Sequence, residues 1–165
     1  MEQLAIEDRG ALRPLSVLGA DHFENTLLLI ARPLLHAHSE PESQSWQHAL
    51  TLSVERLGEV IGPKATFFLS KYIAALLRCL PEGVSYQEPF CETDRLLVTE
   101  NEFHLIAVLH HMRRDRTNHA RDAVAELTKG RMDPHFIRAG LKLANRFPAG
   151  TARACLEPPK LSVVH

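Results

Sequence analysis

The chain predicts an all-α domain of about six helices, and three observations carry that expectation. Leucine and alanine are abundant while aromatic residues make up only 6%, a composition that favours helix. Apolar side chains recur every three to four residues over most of the stretch from Asp21 to Pro148, the period of a helix with one buried face. Strict apolar/polar alternation is absent, so no strand is expected. A length of 165 residues suits a single domain large enough to bury a core without disulfides.

The elements follow in order. Residues 1–20 carry scattered apolar side chains with Pro14 and two glycines, and are expected to form a flexible, loosely docked arm. Phe23, Leu27, Ile30 and Leu34 then mark a helix whose stripe is widened by Leu28, Leu29 and Leu35, broad enough to be buried. Pro33 removes one backbone hydrogen bond and predicts a kink or an early end. His36 and His38 fall near that end, where free carbonyls and the helix dipole favour histidine.

After a polar linker, Ser39 to Ser45, the spacing places Trp46, Leu50, Val54, Leu57 and Ile61 on the inner face of the next helix. Gly62 and Pro63 are expected to close it and open another, because proline suits a first helical position. Leu69, Ile73, Leu76 and Leu80 form the stripe of that third helix, thickened by Phe67, Phe68 and Tyr72. Pro81 to Val98 is the longest irregular segment, and a loop of this length is uncommon unless functional or locally structured.

The clearest boundary is Thr99 with Glu102 three residues on, a capping box that satisfies two otherwise orphaned amides. It opens an almost wholly apolar helix reaching to about Arg114, expected at the centre of the fold. A shorter helix, His119 to Lys129, ends at Gly130. Asp133 as N-cap and Pro134 at the first turn begin the last helix, which stops at Pro148. Residues 21–148 are thus the helical domain, and 149–165, without any period, read as a disordered tail.

Charge is nearly balanced overall, at −1, but not along the chain. Residues 1–103 hold eight Lys/Arg against fifteen Asp/Glu, a net −7; residues 104–165 hold eleven against five, a net +6. Either the halves neutralise each other within the fold or they present oppositely charged surfaces to a partner, to a second copy or to nucleic acid. Three scattered cysteines, Cys79, Cys91 and Cys155, contain no CxxC pair and read as reduced thiols of a cytoplasmic protein. The acidic N-terminus does not have the layout of a signal peptide, and the wholly apolar runs are too short to suggest a membrane partner.

The stretch "HLIAVLHHMRRDRTNHARDAV" concentrates histidine and arginine. On a straight helix His104 and His111 lie about 10 Å apart, and His111, Asp115 and His119 spread over about 12 Å, too far to share an ion. Further ligands would have to come from His36, His38 or His48, so no metal, haem or other cofactor is expected. Arg113, Arg114, Arg116, Arg121, Arg131, Arg138, Lys142 and Arg146 are the candidate contacts to an anion or a partner. The last three repeat at i, i+4, i+8 on the outer side of the final helix. The outline there is that of a helix-turn-helix, without the Ala-x3-Gly spacing of the tight variety. No nucleophile elbow, dinucleotide fingerprint or P-loop is present. The expected function is a non-enzymatic protein-binding or regulatory one. The alternative is a nucleic-acid-binding regulator using residues 113–146, and the third is a metal- or haem-binding protein or an enzyme.

Overall fold

A computed structural model describes residues 11–90 and 95–150. They form an all-α domain of five helices: α1 (His22–Ser39), α2 (Ser45–Cys79), α3 (Glu100–Met112), α4 (Thr117–Thr128) and α5 (Pro134–Arg146). α1 packs on α2, α4 on α3, and α5 on both α2 and α3, while α1 also meets α3. Six consecutive residues of α3, Leu105 to His110, are buried. Its capping box is formed, with Thr99 Oγ1 accepting from the Glu102 amide and the Glu102 carboxylate from the Thr99 amide. Asp133 caps α5 as the sequence requires, accepting from the Phe136 amide.

The helix count is five because the two segments of α2 are counted as one helix, and their break is not at Gly62–Pro63. The break lies earlier, at Gly58, whose φ of 82° and ψ of 169° leave helical space inside α2. Glycine reaches that conformation without steric cost. The bend returns the second segment onto the first, so close that a β-carbon on Gly62 would lie 2.6 Å from the Ser53 carbonyl oxygen. Gly62 is there for contact. Pro33 likewise fails to end α1, which continues to Ser39.

The expected inner face of the first segment of α2 holds at Leu57 and fails at Trp46 and Leu50. Ser45, Ala49, Ser53 and Leu57 are buried, whereas Trp46 is 52% and Leu50 37% exposed. Where two backbones nearly touch, small side chains must occupy the seam, and hydrophobicity gives way to size. In the second segment the expected stripe of Leu69, Ile73, Leu76 and Leu80 is buried throughout. By length and composition alone α2 is apolar enough to cross a bilayer, but it is bent at Gly58 and packed against α1 and α5.

Part of the expected arm is docked. Arg13–Pro14 (β1) pairs antiparallel with Leu97–Val98 (β2), Arg13 opposite Val98, and Leu15 beyond it is fully buried. This small ladder escapes a periodicity search because each strand has two residues. Residues 1–10 of the arm and residues 151–165 of the expected tail lie outside the described residues.

Tyr72 joins three elements. Its hydroxyl donates to the Leu105 carbonyl at 2.9 Å, and its ring stacks on Phe136 at 4.8 Å. Gly140 of α5 lets that helix settle on Tyr72 and Met112, whose atoms would lie 3.2 and 2.9 Å from an added β-carbon. Ile106, wholly buried in α3, provides the test of this core. Ile106→Asp buries an unpaired charge costing several kcal/mol or more, so cooperative thermal unfolding should be lost. A variant melting like the parent would remove α3 from the core.

Candidate functional site

The eight candidate cations separate into four groups. Arg113 and Arg114 are drawn into the interface with α1. The Arg113 side chain is 1% exposed and donates to Glu24 Oε1 at 2.6 Å, Asp21 Oδ2 at 2.8 Å and, through Nε, the Phe147 carbonyl at 2.6 Å. Its guanidinium also lies over the Phe23 ring at 4.7 Å. Arg114 donates to the same Glu24 oxygen at 2.6 Å and to the His110 carbonyl at 2.9 Å. His110 Nδ1 completes the set, 2.9 Å from Glu24 Oε2. Both arginines are paired with carboxylates of α1 and its cap, Arg113 buried and Arg114 partly exposed.

Asp21 and Glu24 also form the capping box of α1. The pattern Asp21-x-x-Glu24 is the same signal as Thr99-x-x-Glu102 and was legible in the sequence; its arginine partners, some ninety residues away, were not. Burial alone would raise the Glu24 carboxyl. Hydrogen bonds from Arg114, His110 and the Asp21 amide outweigh it and hold the group below the usual carboxylate value.

The box of α3 is used the same way in reverse. Glu102 receives Arg32 of α1, Nε to Oε1 at 2.7 Å, and accepts from the Gln87 amide at 3.0 Å. Arg32 also donates to the carbonyls of Arg95 and Leu97, so this pair organises the described parts of the long irregular segment.

A second group is Arg131, which donates to the Cys79 carbonyl at 2.8 Å and lies 3.4 Å from Glu82, a carboxylate also reached by Lys129. Among the described residues, Glu82 is the one acidic side chain of the irregular segment seen on these cations. The third group is Arg138, Lys142 and Arg146, exposed along α5. The fourth is Arg116 and Arg121, exposed beside a cleft. None of these five makes an ion pair among the described residues.

That cleft lies where α4 and α5 make few contacts with each other, α4 resting on α3 and α5 on α2 and α3. A helix-turn-helix buries its two helices against one another, and this pair does not. The gap, about 230 Å³, is lined by Met112, Ala120, Val124, Met132, Ile137 and Leu141, with Asp115, Arg116, Thr117 and Arg121 at its polar edge. Leu141 and Met132 are 42% and 41% exposed.

The turn between α3 and α4 also corrects the straight-helix reading of the histidines. Asp115 takes a left-handed φ of 54°, tolerated by aspartate better than by most residues. The chain doubles back and the His111 and His119 rings approach to 5.2 Å. Burial first, then His110, His119, Arg116 and Arg114, push the His111 imidazole below its ordinary value. Its Nδ1 is buried without a hydrogen-bond partner among the described residues. No group of three or more His, Cys, Asp or Glu side chains converges as a metal site among the described residues.

Both downward shifts have the same sign for stability. Each group binds its proton more weakly folded than unfolded, so stability present above the ordinary pKa is lost as pH falls. The loss begins below 6.5 for His111 and below 4.5 for Glu24. Melting temperature against pH should therefore fall in two stages. His111→Gln should remove the upper stage. Glu24→Gln should melt lower at neutral pH, with Arg113 and Arg114 stripped of a carboxylate, yet show a shallower acid limb. An unchanged acid limb in Glu24→Gln would show that other carboxylates set it.

Comparison with protein-family models, with curated proteins and with solved structures gives no match.

Proposed function

We propose that this is a non-enzymatic protein-binding protein and that the cleft between α4 and α5 is its contact surface. One observation carries the reading: two neighbouring helices leave an apolar gap between them, edged by two exposed arginines without ion-pair partners among the described residues. At about 230 Å³ the gap is smaller than the roughly 300–1,000 Å³ typical of small-molecule sites. It suits one or two large apolar side chains presented by a partner helix. Met112 and Met132 in its lining favour adaptable packing. Arg116 and Arg121 favour acidic residues beside those anchors. The tightest cluster of titratable groups, around Glu24 and His110, is enclosed in the α1–α3 interface and lines no part of the cleft.

The runner-up rests on Arg138, Lys142 and Arg146, three exposed cations in one line on α5. If they face phosphates, each contact adds about 0.9 to the slope of log affinity against log salt for duplex DNA, so replacing all three by alanine flattens it by about 2–3. Capture of partners with nuclease treatment separates the readings. Binding should survive nuclease and the triple alanine change, and be lost in Leu141→Glu or Arg121→Glu. Binding destroyed by nuclease and by the triple change, but kept in Leu141→Glu, would install the runner-up.

A further inference from the structure

A second pocket, of about 270 Å³, lies between α1, the first segment of α2 and the irregular segment, and it shares no lining residue with the cleft. Its wall is charged where the cleft's is apolar. Glu55 and Arg56 enter from α2, Glu88 and Arg95 from the irregular segment. His48, its ring 5.2 Å from that of Phe90, lies on the same side of α2 as that first pair. All four charged side chains are exposed, and none makes a hydrogen bond or ion pair among the described residues. Two carboxylates and two guanidiniums thus share one pocket without neutralising one another.

Arg32 of α1 also lines the pocket, and it is buried, at 5% exposure. A guanidinium carries five N–H donors. Arg32 uses Nε on Glu102 at 2.7 Å and Nη2 on Glu102 and the Leu97 carbonyl at 3.3 and 3.0 Å, but Nη1 only once, on the Arg95 carbonyl at 2.9 Å. One Nη1 hydrogen therefore has no acceptor among the described residues, on a buried group that borders the pocket. Glu102 already balances the charge and the other bonds hold the orientation, so this donor needs no further ordering to receive a ligand.

We propose that this pocket binds a free α-amino acid, its carboxylate received by Arg56, Arg95 and the spare Arg32 N–H, its ammonium by Glu55 and Glu88. The half-buried Leu29, Leu52 and Pro89 supply apolar wall for an aliphatic side chain. Selectivity comes from the two signs of charge. A simple anion meets two carboxylates along with the guanidiniums, and a simple cation meets the reverse, so only a ligand carrying both charges satisfies both pairs. The volume lies just under the roughly 300–1,000 Å³ of sites for drug-sized ligands, as suits a smaller molecule.

The experiment is calorimetric titration of the full chain with each standard α-amino acid up to about 10 mM, beside sodium phosphate and glucose. At least one amino acid with an aliphatic side chain should bind. The acid lacking its amine and the amine lacking its carboxylate should each bind about tenfold more weakly or worse, since each forfeits charged hydrogen bonds. Arg56→Gln and Glu88→Gln, both at exposed positions, should weaken binding by a similar factor while melting like the parent without ligand. Arg95→Gln replaces either variant that does not melt like the parent. Failure of every amino acid to bind overturns the proposal. So does equally tight binding of phosphate or of the acid without its amine, which makes this an anion site, and so does tighter binding of glucose. Amino-acid binding indifferent to both substitutions places the ligand elsewhere and overturns it as well.

Discussion

The structure depends on a reciprocal exchange of charges between α1 and α3. Each helix begins with a capping box, and in each the box glutamate is also an acceptor for arginine: Glu24 for Arg113 and Arg114 at the C-terminal end of α3, Glu102 for Arg32 of α1. One carboxylate thus satisfies its own helix's orphaned amides and anchors its neighbour. The two pairings lie at opposite ends of an antiparallel contact, so they fix its register. Sliding α3 by one turn, about 5.4 Å, would break both. Buried ion pairs are not strong net stabilisers, since desolvation consumes most of their attraction, but losing one partner costs about 3–5 kcal/mol. Their effect here is to exclude other alignments of two helices whose apolar faces would tolerate several.

This exchange also shows where part of the uneven charge of the sequence goes. Arg113 and Arg114, from the basic half, neutralise Asp21 and Glu24 from the acidic half, and Lys129 and Arg131 meet Glu82. What stays on the surface is a smaller set: Arg116 and Arg121 at the cleft, and three cations along α5. The cleft lies where α4, packed on α3, and α5, packed on α2 and α3, make few contacts with each other. Its floor, Met112, belongs to the same helix that carries the buried arginines, so the charge exchange also fixes the surface on which the proposed function relies.

Much of this was legible in the sequence where the governing physics is local. The caps at Thr99 and Asp133 and the stripe from Leu69 to Leu80 depend on residues within a few turns of one another. Where the deciding contact is distant, the reading failed. Gly62–Pro63 is a louder punctuation signal than Gly58, yet Gly62 serves a backbone contact with Ser53. Trp46 and Leu50 satisfy the hydrophobic period, but the seam behind them has room only for small side chains. His111 and His119 are far apart on a straight helix and adjacent once the chain turns at Asp115. The candidate site was half legible. All eight cations were visible, but which of them stay outside depends on carboxylates and carbonyls elsewhere in the chain.

The Arg113 bond to the Phe147 carbonyl has a consequence for how the chain is made. A ribosome delivers α1 first, with its capping carboxylates already in place, but their arginine partners emerge some ninety residues later and the carbonyl that completes Arg113 later still. Contacts between such distant parts of a chain close slowly, because the loop entropy is spent before the contact returns anything. Until Arg113 and Arg114 have left the exit tunnel, α1 carries an acidic end without these counter-charges and lacks α3 against it; until residue 147 follows, Arg113 lacks its carbonyl partner. The nascent protein is therefore open to misassociation and to chaperone capture while α1 waits for α3, and the arrival of Arg113 and Arg114 ends that interval.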